Sequence, residues 1–122
     1  MHFTLRSVTI DCPDPYALAK WWCEALGVPM SADDYRDDPE ALCDLGPDRT
    51  RLLFEKVPER KTVKNRVHID LRPTSREDEV ERLVALGASF VADHRGDEGS
   101  GWVVLADPEG NEFCVEQENN AS

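Results

Sequence analysis

The chain repeats itself. Asp14, set before Pro15, and Ser75, set before Arg76, are helix-capping residues 61 positions apart. Gly27 and Gly87 each end an apolar helical stripe and stand 60 apart, and the turn prolines Pro47 and Pro108 are again 61 apart. Each half therefore reads strand, helix, strand, strand, strand. A helix covers one face of its sheet only, so the other face needs a partner sheet or a ligand. The expectation is a single α+β domain over residues 1–122. It is built from two βαβββ modules (about 3–57 and about 65–118) related by a pseudo-twofold axis. The helices lie outside and curved mixed sheets enclose a cavity.

Local patterns support each element. Residues 3–12 alternate, with Val8, Ile10 and Cys12 on one side and Ser7, Thr9 and Asp11 on the other. Leu18, Trp21, Trp22, Ala25 and Leu26 follow at helical spacing; of the two tryptophans, one is expected in the core and the other part-exposed or at an interface. Short strands are expected near 28–34, 40–45 and 51–57, separated by Asp- and Pro-rich turns. In the second half, residues 65–72 alternate with Val67, Ile69 and Leu71 opposite His68 and Asp70. Val80, Leu83, Val84 and Leu86 form the second helical stripe. Strands near 88–93, 101–106 and 112–117 follow, the last two joined by the turn sequence Asp107-Pro108-Glu109-Gly110-Asn111. The glycine-rich stretch Asp93–Gly101 is expected to be a mobile connection.

Charge narrows the partners. The 122 residues carry 14 Lys and Arg against 25 Asp and Glu, a net charge of −11. Affinity for nucleic-acid phosphates comes from clustered basic residues, so nucleic acid is excluded, and an anionic membrane surface on the same ground. No apolar run approaches the ~20 residues that span a bilayer. Cys12, Cys23, Cys43 and Cys114 are widely spaced with no C-x-x-C. With no export signal at the start of the chain, they read as reduced thiols of a cytoplasmic protein.

The repeat also selects a site. The offset of 61 maps Ser7 onto His68 and Glu55 onto Glu116. If Val8, Ile10, Phe54, Ile69, Leu71 and Val115 face the helices, strict alternation turns Ser7, Glu55, His68 and Glu116 to the other face. One imidazole and two carboxylates can hold a divalent ion such as Zn, Ni, Mn or Fe with positions open to substrate. The plainer assignment has His68 hydrogen-bonded to Asp70, and Glu55 turned to solvent by a one-residue slip. Trp102, at the start of the inner hairpin strand, either packs in the core or walls the cavity.

Several stretches carry a family likeness: Val8-Thr9-Ile10-Asp11, Pro13-Asp14-Pro15, and Trp21-Trp22 with Leu26-Gly27. To these are added Val57-Pro58-Glu59 leading to Lys64-Asn65-Arg66-x-His68-x-Asp70-Leu71, and Asp107-Pro108-x-Gly110-Asn111-x-Phe113-x-x-Glu116. Over about residues 4–118 the sequence resembles the glyoxalase/bleomycin-resistance/dioxygenase superfamily, the vicinal oxygen chelate proteins, and within it the small glyoxalase-like domain proteins. The resemblance implies a small organic ligand in the cavity between modules, and a metal-assisted lyase or isomerase reaction. His68, Glu116 and Glu55 would hold the ion, with Glu55 and Glu116 catalytic and Ser7, Asp70 and Trp102 touching substrate. The sequence departs from the metal enzymes at Ser7, where those have His or Gln, so one divalent metal and none both stay open. The alternative is non-catalytic sequestration of a drug or metabolite, as in bleomycin-resistance proteins. The resemblance further implies a homodimer.

Overall fold

The computed structural model describes residues 2–117, so the end of the expected second module at 118 lies outside the described residues. Among the described residues the fold is α+β, with two helices and two mixed sheets of three and four strands. Neither sheet closes on itself. The chain divides into two compact units with the boundary between Arg60 and Lys61. No helix among the described residues is long and apolar enough to cross a membrane.

In the first unit, β1 (Ser7–Cys12) runs into α1 (Pro15–Leu26), followed by β2 (Glu40–Cys43) and β3 (Arg51–Lys56). The sheet order is β1-β3-β2, with β1 parallel and β2 antiparallel to β3. Asp14 caps α1 by accepting from the Ala17 N–H at 3.2 Å, and Gly27 ends it in the left-handed region. Ala41, Cys43, Leu52 and Phe54 are buried on the face toward α1, where the Cys43 thiol reaches the Ala19 carbonyl. Both tryptophans are buried, packed edge to face with ring centroids 5.3 Å apart, so the expected part-exposed partner is not found. The strand expected near 28–34 is reduced to a single bridge between Met30 and Cys43. Pro29 has no N–H to give, and the Asp34 carboxylate itself takes the Leu42 N–H at 2.9 Å, occupying the edge of β2.

In the second unit, β4 (Ile69–Leu71) leads to α2 (Arg76–Leu86), then β5 (Ser89–Arg95), a short 3-10 turn (Asp97–Gly99), β6 (Gly101–Ala106) and β7 (Glu112–Glu116). The order is β4-β7-β6-β5, with only β4 and β7 parallel. Ser75 caps α2 through the Asp78 N–H, and Leu83 is buried with Val103, Leu105, Phe113 and Val115. The first strand is far shorter than 65–72. Asn65 takes the Glu112 N–H on its side chain and donates to the Val67 carbonyl, which holds that stretch out of the ladder. Val67 is 74% exposed instead of facing the helix.

The register shows how closely the halves correspond. Val8 partners Leu52 in the first unit and Ile69 partners Phe113 in the second, all four related by 61. The middle strands shift by one more. Ala41 partners Phe54, but it is Val103 that partners Val115, because the first turn holds one extra residue.

Candidate functional site

Parity along the strands of the second unit separates its two faces. Phe113 and Val115 go to the core, which leaves Glu112, Cys114 and Glu116 on the other side. The parallel register places Asp70 beside Cys114, and the antiparallel register places Val104 beside Cys114 and Trp102 beside Glu116. The β6–β7 register is fixed by the buried Asp107. Its carboxylate accepts from the N–H groups of Glu109 and Asn111 at 2.9 Å each and from the Asn111 side chain. A shift between Phe90 and Ala92 in β5 then brings His94 opposite Trp102, and the two rings stack at 5.0 Å. His94 therefore lies in β5, inside the stretch 93–101 expected to be a mobile connection, and stays exposed.

These side chains surround a pocket of about 320 Å³. Trp102, Val104 and Cys114 form its apolar part, and Lys64, His68, Asp70, Glu112 and Glu116 its polar part. Lys64 ion-pairs with Glu112 and holds that carboxyl below its usual range. His68 Nε2 lies 3.3 Å from Asp70 Oδ1, and Glu116 Oε1 lies 3.9 Å from Arg72 Nε. The Cys114 thiol is only 6% exposed; burial, with the Asp70 carboxylate as its hydrogen-bond acceptor, pushes its pKa up to about 11.

The loop beside Trp102 is tied down rather than free. Arg76, 4% exposed, donates from Nη1 to the carbonyls of Gly99, Ser100 and Gly101 at 3.3, 2.8 and 3.1 Å. Gly101 has φ +85, and a Cβ there would sit 2.1 Å from the His94 carbonyl, so no other residue fits this approach.

Of the residues singled out from the sequence, His68, Asp70, Trp102 and Glu116 thus share one pocket in the second unit. His68 precedes β4 instead of lying in it. Ser7 and Glu55 belong to the open sheet face of the first unit. There the Ser7 hydroxyl accepts from Arg51 Nη2 at 3.2 Å, and Glu55 is exposed with Asp11 and Glu40 as its cross-strand partners. Sequence reasoning passed over Cys114 and Arg51. Parity with Glu116 and with Ser7 respectively would have found both.

The residues present can be tested against the divalent ion that the resemblance implies. Bonds of about 2.0–2.1 Å from a tetrahedral ion place neighbouring N and O donors about 3.3 Å apart. The His68–Asp70 separation of 3.3 Å fits, and the donor atoms of His68, Asp70 and Cys114 all lie within 4.8 Å of one another. An ion is therefore compatible with this face. The Ser7 position is not a ligand of the same kind, since a neutral hydroxyl is a poor donor for these ions and here accepts from Arg51 Nη2.

The sequence matches the glyoxalase-like domain model over residues 7–116. No curated protein matches it. Among solved structures, a glyoxalase/bleomycin resistance protein/dioxygenase family enzyme from Burkholderia phytofirmans aligns with a TM-score of 0.73 at 19% identity, covering 94% of this chain and 98% of that one. TioX from Micromonospora gives 0.65 at 17% identity over 95% and 99%. The trypanothione-dependent glyoxalase I of Leishmania major gives 0.67 at 17% over 97% and 88%. At these identities the likeness is one of fold.

Proposed function

The chain belongs to the glyoxalase-like domain family, and from that premise we propose that it binds a small organic molecule over the open face of the second sheet. The observation that carries this reading is the pocket itself. A volume of about 320 Å³ is at the small end of ligand sites, and its lining joins one large ring to a few convergent polar groups. Trp102, 43% exposed and backed by His94, offers a flat apolar surface. Asp70 and Glu116 offer acceptors for ligand donors, while Lys64 is engaged by Glu112.

The chemistry proposed here is lyase or isomerase chemistry next to a carbonyl. A divalent ion held at His68 would supply Lewis acidity to that oxygen. Glu116 is the proposed base: it lines the same pocket and is able to take a proton from the adjacent carbon and return it. Trp102, Val104 and Cys114 exclude water from one side and fix the ligand's orientation. Glu55 and Ser7 are the first-unit counterparts of Glu116 and His68, and are proposed to contribute to catalysis and ligand contact. A homodimer in the cytoplasm completes the proposal.

The second reading is sequestration without chemistry. The Ser7–Arg51 hydrogen bond favours it, because a metal-binding group is missing at that position. A thermal-shift screen of small carbonyl and aromatic compounds tests the shared claim. A ligand at 100 times its Kd stabilises by about 2.7 kcal/mol. Compounds that raise the midpoint of the wild type and not of Trp102→Ala support the site; turnover of such a compound, abolished in Glu116→Gln, separates the enzyme from the sequestering protein.

A further inference from the structure

Cys114 stands on the wrong face for a packing residue. The core side of β7 is already filled by Phe113 and Val115, and Cys114 is the buried floor of the polar pocket between them. A small apolar side chain would serve a floor equally well. What a cysteine adds is a sulfur donor, and two further donors converge on it. Asp70 is its cross-strand partner in the parallel β4–β7 ladder, and His68, just before β4, brings its Nε2 to 3.3 Å from Asp70 Oδ1. Asn65 fixes that approach by bonding the Glu112 N–H at the start of β7.

We propose that His68, Asp70 and Cys114 form a three-donor site for a thiophilic divalent cation of the zinc class. This deepens the proposed function, on which it rests, by naming the donors. His68 binds the ion together with Asp70 and Cys114, leaving Glu116 free to act as base. An imidazole nitrogen, a carboxylate oxygen and a thiolate sulfur, with the fourth position open toward the pocket, is the pattern of a tetrahedral site that keeps room for substrate. The 3.3 Å between His68 Nε2 and Asp70 Oδ1 matches one edge of that tetrahedron, and the sulfur lies within 4.8 Å of both. Sulfur also sets the selectivity, since a thiolate favours zinc over the harder manganese and magnesium. On binding, the Cys114 S–H bond breaks, the sulfur bonds the ion, and the proton passes to solvent; no oxidant or reductant takes part.

The test is titration of metal-free, untagged protein with Co²⁺, followed by absorbance, then displacement by Zn²⁺. The expected result is one bound ion with tetrahedral visible bands and a thiolate-to-cobalt charge-transfer band. That band is retained in Cys12→Ser and lost in Cys114→Ser. Affinity for Zn²⁺ should fall by at least about tenfold in His68→Ala and Asp70→Asn, whose side chains are exposed and whose folding is checked by circular dichroism. Mn²⁺ should bind more weakly than Zn²⁺ by at least about tenfold. Binding without the charge-transfer band, a band that survives in Cys114→Ser, or no binding at all overturns the site. If Cys114→Ser does not fold, loss of the band in His68→Ala decides in its place. A protein that binds no ion but still takes up the screened organic compounds refutes this inference and leaves the ligand pocket standing; one that does neither refutes both.

Discussion

The sulfur of Cys23 on α1 lies 2.8 Å from the sulfur of Cys43 on β2, and both side chains are buried. The pair ties helix to sheet inside the first unit, and the Cys43 thiol also reaches the Ala19 carbonyl. Burial raises the pKa of both thiols. In the unfolded chain a thiol ionises near 9.0. The unfolded state therefore gives up these protons first as pH rises. The pair's stabilisation is complete below pH 9 and is lost above it. Urea midpoints at pH 7.5 and pH 10 should show a fall at the higher pH, and the fall should shrink in a Cys23→Ala, Cys43→Ala double variant. At pH 8 iodoacetamide should label these two cysteines only after denaturation.

Arg76 gathers three loop carbonyls and is almost wholly buried. Truncation in Arg76→Ala removes the guanidinium from all three carbonyls, of which Ser100 keeps the Gly96 N–H as a donor. Denaturant unfolding should show a loss of about 2–4 kcal/mol. The loop carries Gly101 into Trp102, so ligand affinity should fall as well.

Acid should weaken the fold through carboxylates that basic side chains hold below their usual range, Glu77 and Glu112 among them. Arg76 holds Glu77 below its usual range, and Lys64 does the same for Glu112. Their stabilisation is present above the ordinary carboxylate value of about 4.5 and is lost as pH falls through the lowered values. The thermal midpoint should drop between pH 5 and pH 3. The drop should be smaller in Lys64→Met, where Glu112 has no such partner to lose.

Much of the fold was legible because it is encoded locally. Asp14 and Ser75 cap their helices through side-chain bonds three residues away, and Gly27 and Gly87 end them through positive φ. The offset of 61 then paired His68 with Ser7 and Glu116 with Glu55, and alternation along the strands added Asp70, so that Asp70 and Glu116 do share a face with Trp102. What was not legible depends on side chains competing with the backbone. Asp34 takes an N–H that a strand at 28–34 would have used, and Asn65 takes one from Glu112. Cys114 was hidden by its residue type: a cysteine between Phe113 and Val115 reads as core, although its parity is that of Glu116.

The two repeats should respond alike to core truncation. Phe54 and Phe113 are both fully buried, each at the centre of its own sheet. Phe54→Ala and Phe113→Ala should each cost about 3–5 kcal/mol by denaturant unfolding. A much smaller loss at one of them would mean that its unit is not packed as described.

The most direct measurement is calorimetric titration of the best compound from the thermal-shift screen into wild type, Trp102→Ala and Asp70→Asn, with folding confirmed by circular dichroism. Binding over the open face of the second sheet requires that affinity fall by at least about tenfold in both variants. Unchanged affinity in the two would contradict it and move the ligand elsewhere on the protein.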